Sequence, residues 1–122
     1  MTIEVEGRLE VGERTIFGHH CTLAARDSII IGADCLLAEM VSIRDHDHRF
    51  DNLEIPIREQ GIVSAPVVIG KNVWLGAKVT VLKGVTIGDN AVVGANAVVT
   101  KNLPKNAIAV GIPAKVIRLR TD

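Results

Sequence analysis

Aliphatic or aromatic residues recur at every sixth position along long stretches of this chain: Val5, Val11, Phe17 and Leu23, then Ile31, Leu37 and Ile43, then Ile69, Leu75, Val81, Ile87, Val93 and Val99. Four places after most of these anchors stands a smaller or β-branched residue: Thr15, Cys21, Cys35, Val41, Val73, Val79, Val85, Ala91 and Ala97. A period of six matches neither a helix nor simple strand alternation. It predicts a coil that turns a corner every six residues, each edge pointing one large and one small side chain inward. Gly12, Gly18, Gly32, Gly70, Gly76, Gly88 and Gly94 directly follow their anchors, where a corner is expected to need the backbone freedom of glycine. A β-sandwich is the alternative, but its strands do not hold a fixed phase.

The phase slips twice. An eight-residue step from Leu23 to Ile31 predicts a two-residue bulge at a corner around Arg26 to Ser28. The step from Ile43 to Ile69 sets residues 44–68 apart as an excursion from the stack, and segments of that size are functional or disordered. From the tail at Pro104 onward, the chain is expected to cross the last coil and blunt its open edge.

Composition narrows the class without changing the fold. The chain has 122 residues, 48% of them hydrophobic and only 2% aromatic, which suits one narrow prism filled by Val, Ile, Leu and Ala, a single domain over 1–122. With 14 basic and 14 acidic residues the net charge is zero, so nothing points to nucleic acid or a membrane surface as partner. No apolar run reaches the ~20 residues of a spanning helix and no signal-peptide pattern opens the chain, so a cytoplasmic location is expected. Cys21 and Cys35 occupy small inward positions and read as compact hydrophobes. The phase also places Ile16, Leu36, Trp74, Val92 and Val98 on the outer face, as an apolar strip suited to a homo-oligomer, for which a ring of three fits a three-sided prism.

Chemistry concentrates in the excursion, which opens Arg44, Asp45, His46, Asp47, His48, Arg49, Phe50, Asp51. A solvated polar loop is one reading. Another is a general base, with one His held in the right tautomer by a neighbouring carboxylate. A third is zinc held by His46 and His48 with Asp45 or Asp47, its remaining ligand coming from His19, His20 or another subunit.

The hexads, the loop with Asp45-His46, the run from Val68 to Ala77 and the ending from Gly111 to Arg118 together resemble the hexapeptide-repeat O-acetyltransferases, in particular the sugar and polysaccharide acetyltransferases related to maltose and galactoside acetyltransferases. The resemblance runs from Val5 to Arg118. It implies an all-β fold, a left-handed parallel β-helix with one long protruding loop and a short C-terminal tail. It implies a homotrimer with acetyl-CoA as co-substrate in a groove between subunits, a saccharide hydroxyl as acceptor, and no metal. In it His46 is the base that takes the hydroxyl proton during direct attack on the thioester, Asp45 its partner, and His48 the fallback. Gly76 and Ala77 match the oxyanion segment, and Trp74 lines the acyl and acceptor pocket. Gly94, Ala95, Thr100, Lys101 and Arg118 match coenzyme positions, with Lys115 and Arg120 as further cations for a phosphate. Asp27, at the expected bulge, is a candidate acceptor ligand. Relatives often have more chain before the first hexads, so the acceptor itself is not specified. Two other functions share the prism: a γ-type carbonic anhydrase, which needs three metal-binding His residues at a spacing not found here, and a catalytically silent scaffold.

Overall fold

A computed structural model describes residues 1–121, and the six-residue edges wind as expected into a three-sided parallel β-helix. One face stacks β1 (Thr2–Val5), β4 (Thr22–Ala25), β7 (Ser42–Arg44), β12 (Thr80–Val81) and β15 (Val98–Val99) in that order. A second stacks β2 (Arg8–Val11), β5 (Ser28–Ile31), β10 (Val67–Ile69) and β13 (Thr86–Ile87). The third stacks β3 (Ile16–Phe17), β6 (Leu36–Leu37), β11 (Trp74–Leu75), β14 (Val92–Val93), β16 (Ala107–Val110) and an antiparallel last strand, β17 (Lys115–Leu119). All other pairings within these faces are parallel. Three sheets around one continuous core exclude the sandwich, because each edge buries its own pair of side chains on the pair beneath.

The inward phase holds from Cys21 to Ala109. In the first coil Val5, Val11 and Phe17 keep that register, on Ala25, Ile31 and Leu37, but Val5 and Val11 are 46% and 42% exposed, with no coil beneath them among the described residues. Register also corrects the first anchor: Ile3 stacks on Leu23 and Val5 on Ala25, so the widened corner is present in the first coil as well as the second. At the other end the hexad outlasts its expected limit. Leu103, Ala107 and Ala109 are buried, and residues 111–114 close over the top through hydrogen bonds between Val98 and Gly111 and between Ala114 and Val98.

The corner glycines have a different cause from the expected one. None of the seven has positive φ. A Cβ on Gly12 would lie 2.4 Å from the Ala33 nitrogen, and one on Gly32 2.6 Å from the Gly70 oxygen, so close stacking of successive corners is what excludes a side chain. The left-handed position comes two residues later and is held by Arg14, Asp34, Asn72, Asn90 and Asn106 in one column and by His20, Met40, Lys78 and Asn96 in another. Asn is at ease there, and Asn72, Asn90 and Asn106 link by side-chain hydrogen bonds of 3.0 Å.

The excursion is shorter and more ordered than residues 44–68. Arg44 still belongs to β7, and Val67 and Val68 already belong to β10. Between them β8 (His46–His48) and β9 (Ile62–Ser64) pair antiparallel, and a 3-10 turn (Ile57–Glu59) lies between these strands. The outer apolar strip is corrected too. Val98 lies on the β15 face, whereas Ile16, Leu36, Trp74, Val92 and the unanticipated Ile108 align in neighbouring strands of one sheet.

Candidate active site

Asp45 stands one residue past the Ala24–Arg44 pair of β4 and β7, at the inward position above Ala25. It is fully buried, and among the described residues it is the only buried charged side chain. The bulge read from the eight-residue step explains how a carboxylate is tolerated there. Arg26 N–H donates to Oδ1 at 2.9 Å, and the N–H groups of Asp27 and Ser28 donate to Oδ2, each at 2.7 Å. His46 Nδ1 lies 2.9 Å from Oδ1. Burial pushes the Asp45 carboxyl up, but the Arg26 amide, the His46 ring and the amides of Asp27 and Ser28 outweigh it, leaving its pKa below the ordinary carboxylate value. An ionised carboxylate can only accept, so Nδ1 is the nitrogen that carries the shared proton, and in the neutral form of the ring Nε2 is the acceptor.

The His46 side chain is 11% exposed and lines a cavity of about 290 Å³ with Glu4, Val5, Glu6, Ala24, Ala25 and Arg26. The sequence reading missed Glu4, Glu6 and Arg26. The only signal available for them was the hexad register, which places Glu4 beside Ala24 on the outside of the same sheet. Asp27 contributes through its backbone, donating to Asp45 and accepting from Arg8 N–H at 3.0 Å; its side chain is exposed and does not line the cavity. His48 is exposed and lines a different hollow with Asp47, Arg49, Phe50, Asp51, Val63 and Lys83. His19 and His20 sit exposed at a corner, their rings 6.3 Å apart. No group of three or more His, Cys, Asp or Glu side chains is arranged for a metal ion among the described residues.

Trp74 is half exposed and lies away from His46, over a cavity of about 560 Å³ that also involves Leu36, Val92, Ile108 and Arg120. Gly76–Ala77 and Gly94–Ala95 stack at one corner, with the Gly76 Cβ position 2.7 Å from the Ala95 nitrogen and Asn96 N–H donating to the Ala77 carbonyl. The Gly76 N–H is taken by the Val93 carbonyl at 2.8 Å, so it is not open to a ligand; the Ala77 N–H donates to no group among the described residues. Thr100 and Lys101 are exposed at the next corner, after β15. Arg118 is exposed on β17 beside Ile108, as is Lys115 beside Val110, while Arg120 donates to the Asn90 carbonyl at 3.0 Å. None of these three cavities gathers His46, Trp74 and these positions together. Both cysteines are buried and free; burial pushes the Cys35 thiol up, which suits a packing role.

A family profile described as "Hexapeptide repeat of succinyl-transferase" matches residues 66–101. A probable acetyltransferase of Mycobacterium tuberculosis is 44% identical over 115 residues, covering 94% of this chain and 38% of that protein. The chain spans between 38% and 56% of the length of the curated relatives it matches most strongly. Among solved structures, galactoside acetyltransferase in complex with coenzyme A superposes with a TM-score of 0.80 at 30% identity, covering 97% of this chain and 64% of that one. The maltose O-acetyltransferase from Clostridium difficile 630 has a TM-score of 0.78 at 34% identity, with coverage of 97% and 68%. No helix among the described residues is long and apolar enough to cross a membrane. Repeat, register and relatives agree: this chain belongs to the hexapeptide-repeat acetyltransferase family.

Proposed function

We propose that this chain carries the active site of an acetyl-CoA-dependent O-acetyltransferase acting on a saccharide hydroxyl. The observation that carries the proposal is the Asp45–His46 pair, a buried carboxylate 2.9 Å from Nδ1 of a cavity-lining imidazole. A sugar hydroxyl is too weakly acidic to ionise at neutral pH, so a base must remove its proton as the new C–O bond forms. His46 Nε2 takes that proton while the hydroxyl oxygen adds to the thioester carbonyl. Collapse of the tetrahedral intermediate breaks the C–S bond, and the proton passes from His46 to the departing coenzyme sulfur. Asp45 stabilises the transient imidazolium and holds the ring in place. The free Ala77 N–H is the proposed donor to the oxyanion, an interaction of roughly 3 kcal/mol at comparable sites.

Galactoside acetyltransferase in its coenzyme A complex supports coenzyme A as the ligand of the Gly76–Ala77 and Gly94–Ala95 corner, where small residues allow close approach. Thr100, Lys101 and Arg118 are the proposed polar and cationic contacts of the coenzyme, and Trp74 a wall of the acyl pocket. Because His46 and Trp74 line separate cavities in one chain, the reading includes a cytoplasmic homotrimer in which a second copy completes the groove. The test is thiol release from acetyl-CoA across a panel of mono- and oligosaccharides. His46→Ala is expected to lower kcat by about 10²- to 10⁴-fold while coenzyme binding, followed by calorimetry, persists. Equal activity in the variant removes His46 from the mechanism.

A further inference from the structure

We propose that Glu4 and Glu6 act as a charge filter on the acceptor, so that the cavity beside His46 takes an uncharged hydroxyl-bearing sugar and turns away an acidic one. This rests on the reading of His46 as the base and adds the substrate class. The apolar lining of the cavity is Val5, Ala24 and Ala25, and its polar lining, or wall, is Glu4, Glu6, Arg26 and His46. Arg26 is the only cation in that wall, and its Nη1 is 3.2 Å from Glu6 Oε2, so its charge is already matched. Glu4 forms no ion pair among the described residues. Behind His46 the Asp45 carboxylate adds a buried negative charge. Arg44 pairs with Ala24 in the adjacent strand, in the same row as Glu4, and does not line the cavity, and Lys83 is held by Asp47 at 3.3 Å.

The chemistry that fits is a set of acceptors facing donors. Carboxylates and the Nε2 lone pair accept hydrogen bonds, and sugar hydroxyls donate them. A carboxylate on the sugar would bring acceptor oxygens and a like charge against Glu4. At the few-ångström separations of such a cavity and a surface-like dielectric, one uncompensated charge is worth roughly a tenfold discrimination, reduced by salt.

The experiment compares kcat/KM for methyl glucoside and methyl glucuronoside, which differ only at the C6 substituent, with acetyl-CoA saturating. The neutral sugar is expected to be favoured at least about tenfold, and the ratio to shrink towards one both in 1 M salt and in the Glu4→Gln, Glu6→Gln double variant. A ratio near or below one in the wild type at low salt, or a ratio unmoved by salt and variant, overturns the filter. If neither sugar is acetylated, the transferase reading fails on its own, and ligand-observed NMR with the same two sugars and no coenzyme decides the filter. Binding of the glucoside alone supports it; equal binding, preference for the glucuronoside or binding of neither overturns it.

Discussion

Asp45 is a buried charge in a core lined otherwise by apolar side chains among the described residues, and its anionic form is stabilised by three amides and one imidazole. Its folded pKa lies below the unfolded value of about 3.9. A depressed carboxylate contributes stability that is complete above the unfolded value and is lost as pH falls through the folded one. Denaturant midpoints should therefore hold from neutral pH to about 5 and fall below about 4, and Asp45→Asn should flatten that acid limb. An amide also turns donors towards the amides it must accept from, at a cost of about 2 to 4 kcal/mol near neutral pH. The same variant loses the carboxylate that fixes the His46 tautomer, so kcat should fall about 10²- to 10⁴-fold with an altered pH profile. A merely structural role for Asp45 would lower the amount of active protein and leave the profile in place.

At the scale of the six-residue edge, stacking depends on corners that touch backbone to backbone. Gly32→Ala would place a methyl 2.6 Å from the Gly70 oxygen and 2.9 Å from the Lys71 nitrogen, in a contact with no flexible side chain to yield. The expected cost is about 1 to 3 kcal/mol of global stability, read from denaturant unfolding. Gly61→Ala is the comparison, since its Cβ meets open space and only its φ of +82° opposes the change. Its strain lies in the arm that carries β8 and β9, outside the core, so its effect on global unfolding should be smaller. An equal or greater loss in Gly61→Ala would show that corner contact does not limit the stack.

Across the whole molecule, the two ends and three faces of the prism are unequal. The upper end is closed by residues 111–114, whereas the first coil leaves Ile3, Val5 and Val11 partly open. One face carries Ile16, Leu36, Trp74, Val92 and Ile108 in adjacent register, a continuous apolar strip of the kind that oligomers bury. Light scattering on the purified chain should report a trimer, and Trp74→Glu should weaken association by roughly tenfold or more. The variant should also lose acetyl transfer in parallel with assembly if the groove is shared between copies. A monomeric wild type with full activity would remove the shared groove.

What this sequence determined by itself was repetition: a hexad with one large and one small inward residue can close only as a coil, and it marked Asp45-His46 as the place where the repeat gives way to chemistry. It also located the bulge at Arg26 to Ser28, because an inserted pair of residues shifts every later anchor. It could not say what the bulge was for, since three amides converge on Asp45 only when successive coils are stacked. The sequence placed Glu4, Glu6 and Arg26 some twenty or more residues from His46, with no motif to join them, and parallel pairing brought them together. The glycines were read as flexible because periodicity shows where small residues fall but not what they touch. Tertiary contact decided that, as it decided which side chains line the cavity beside His46.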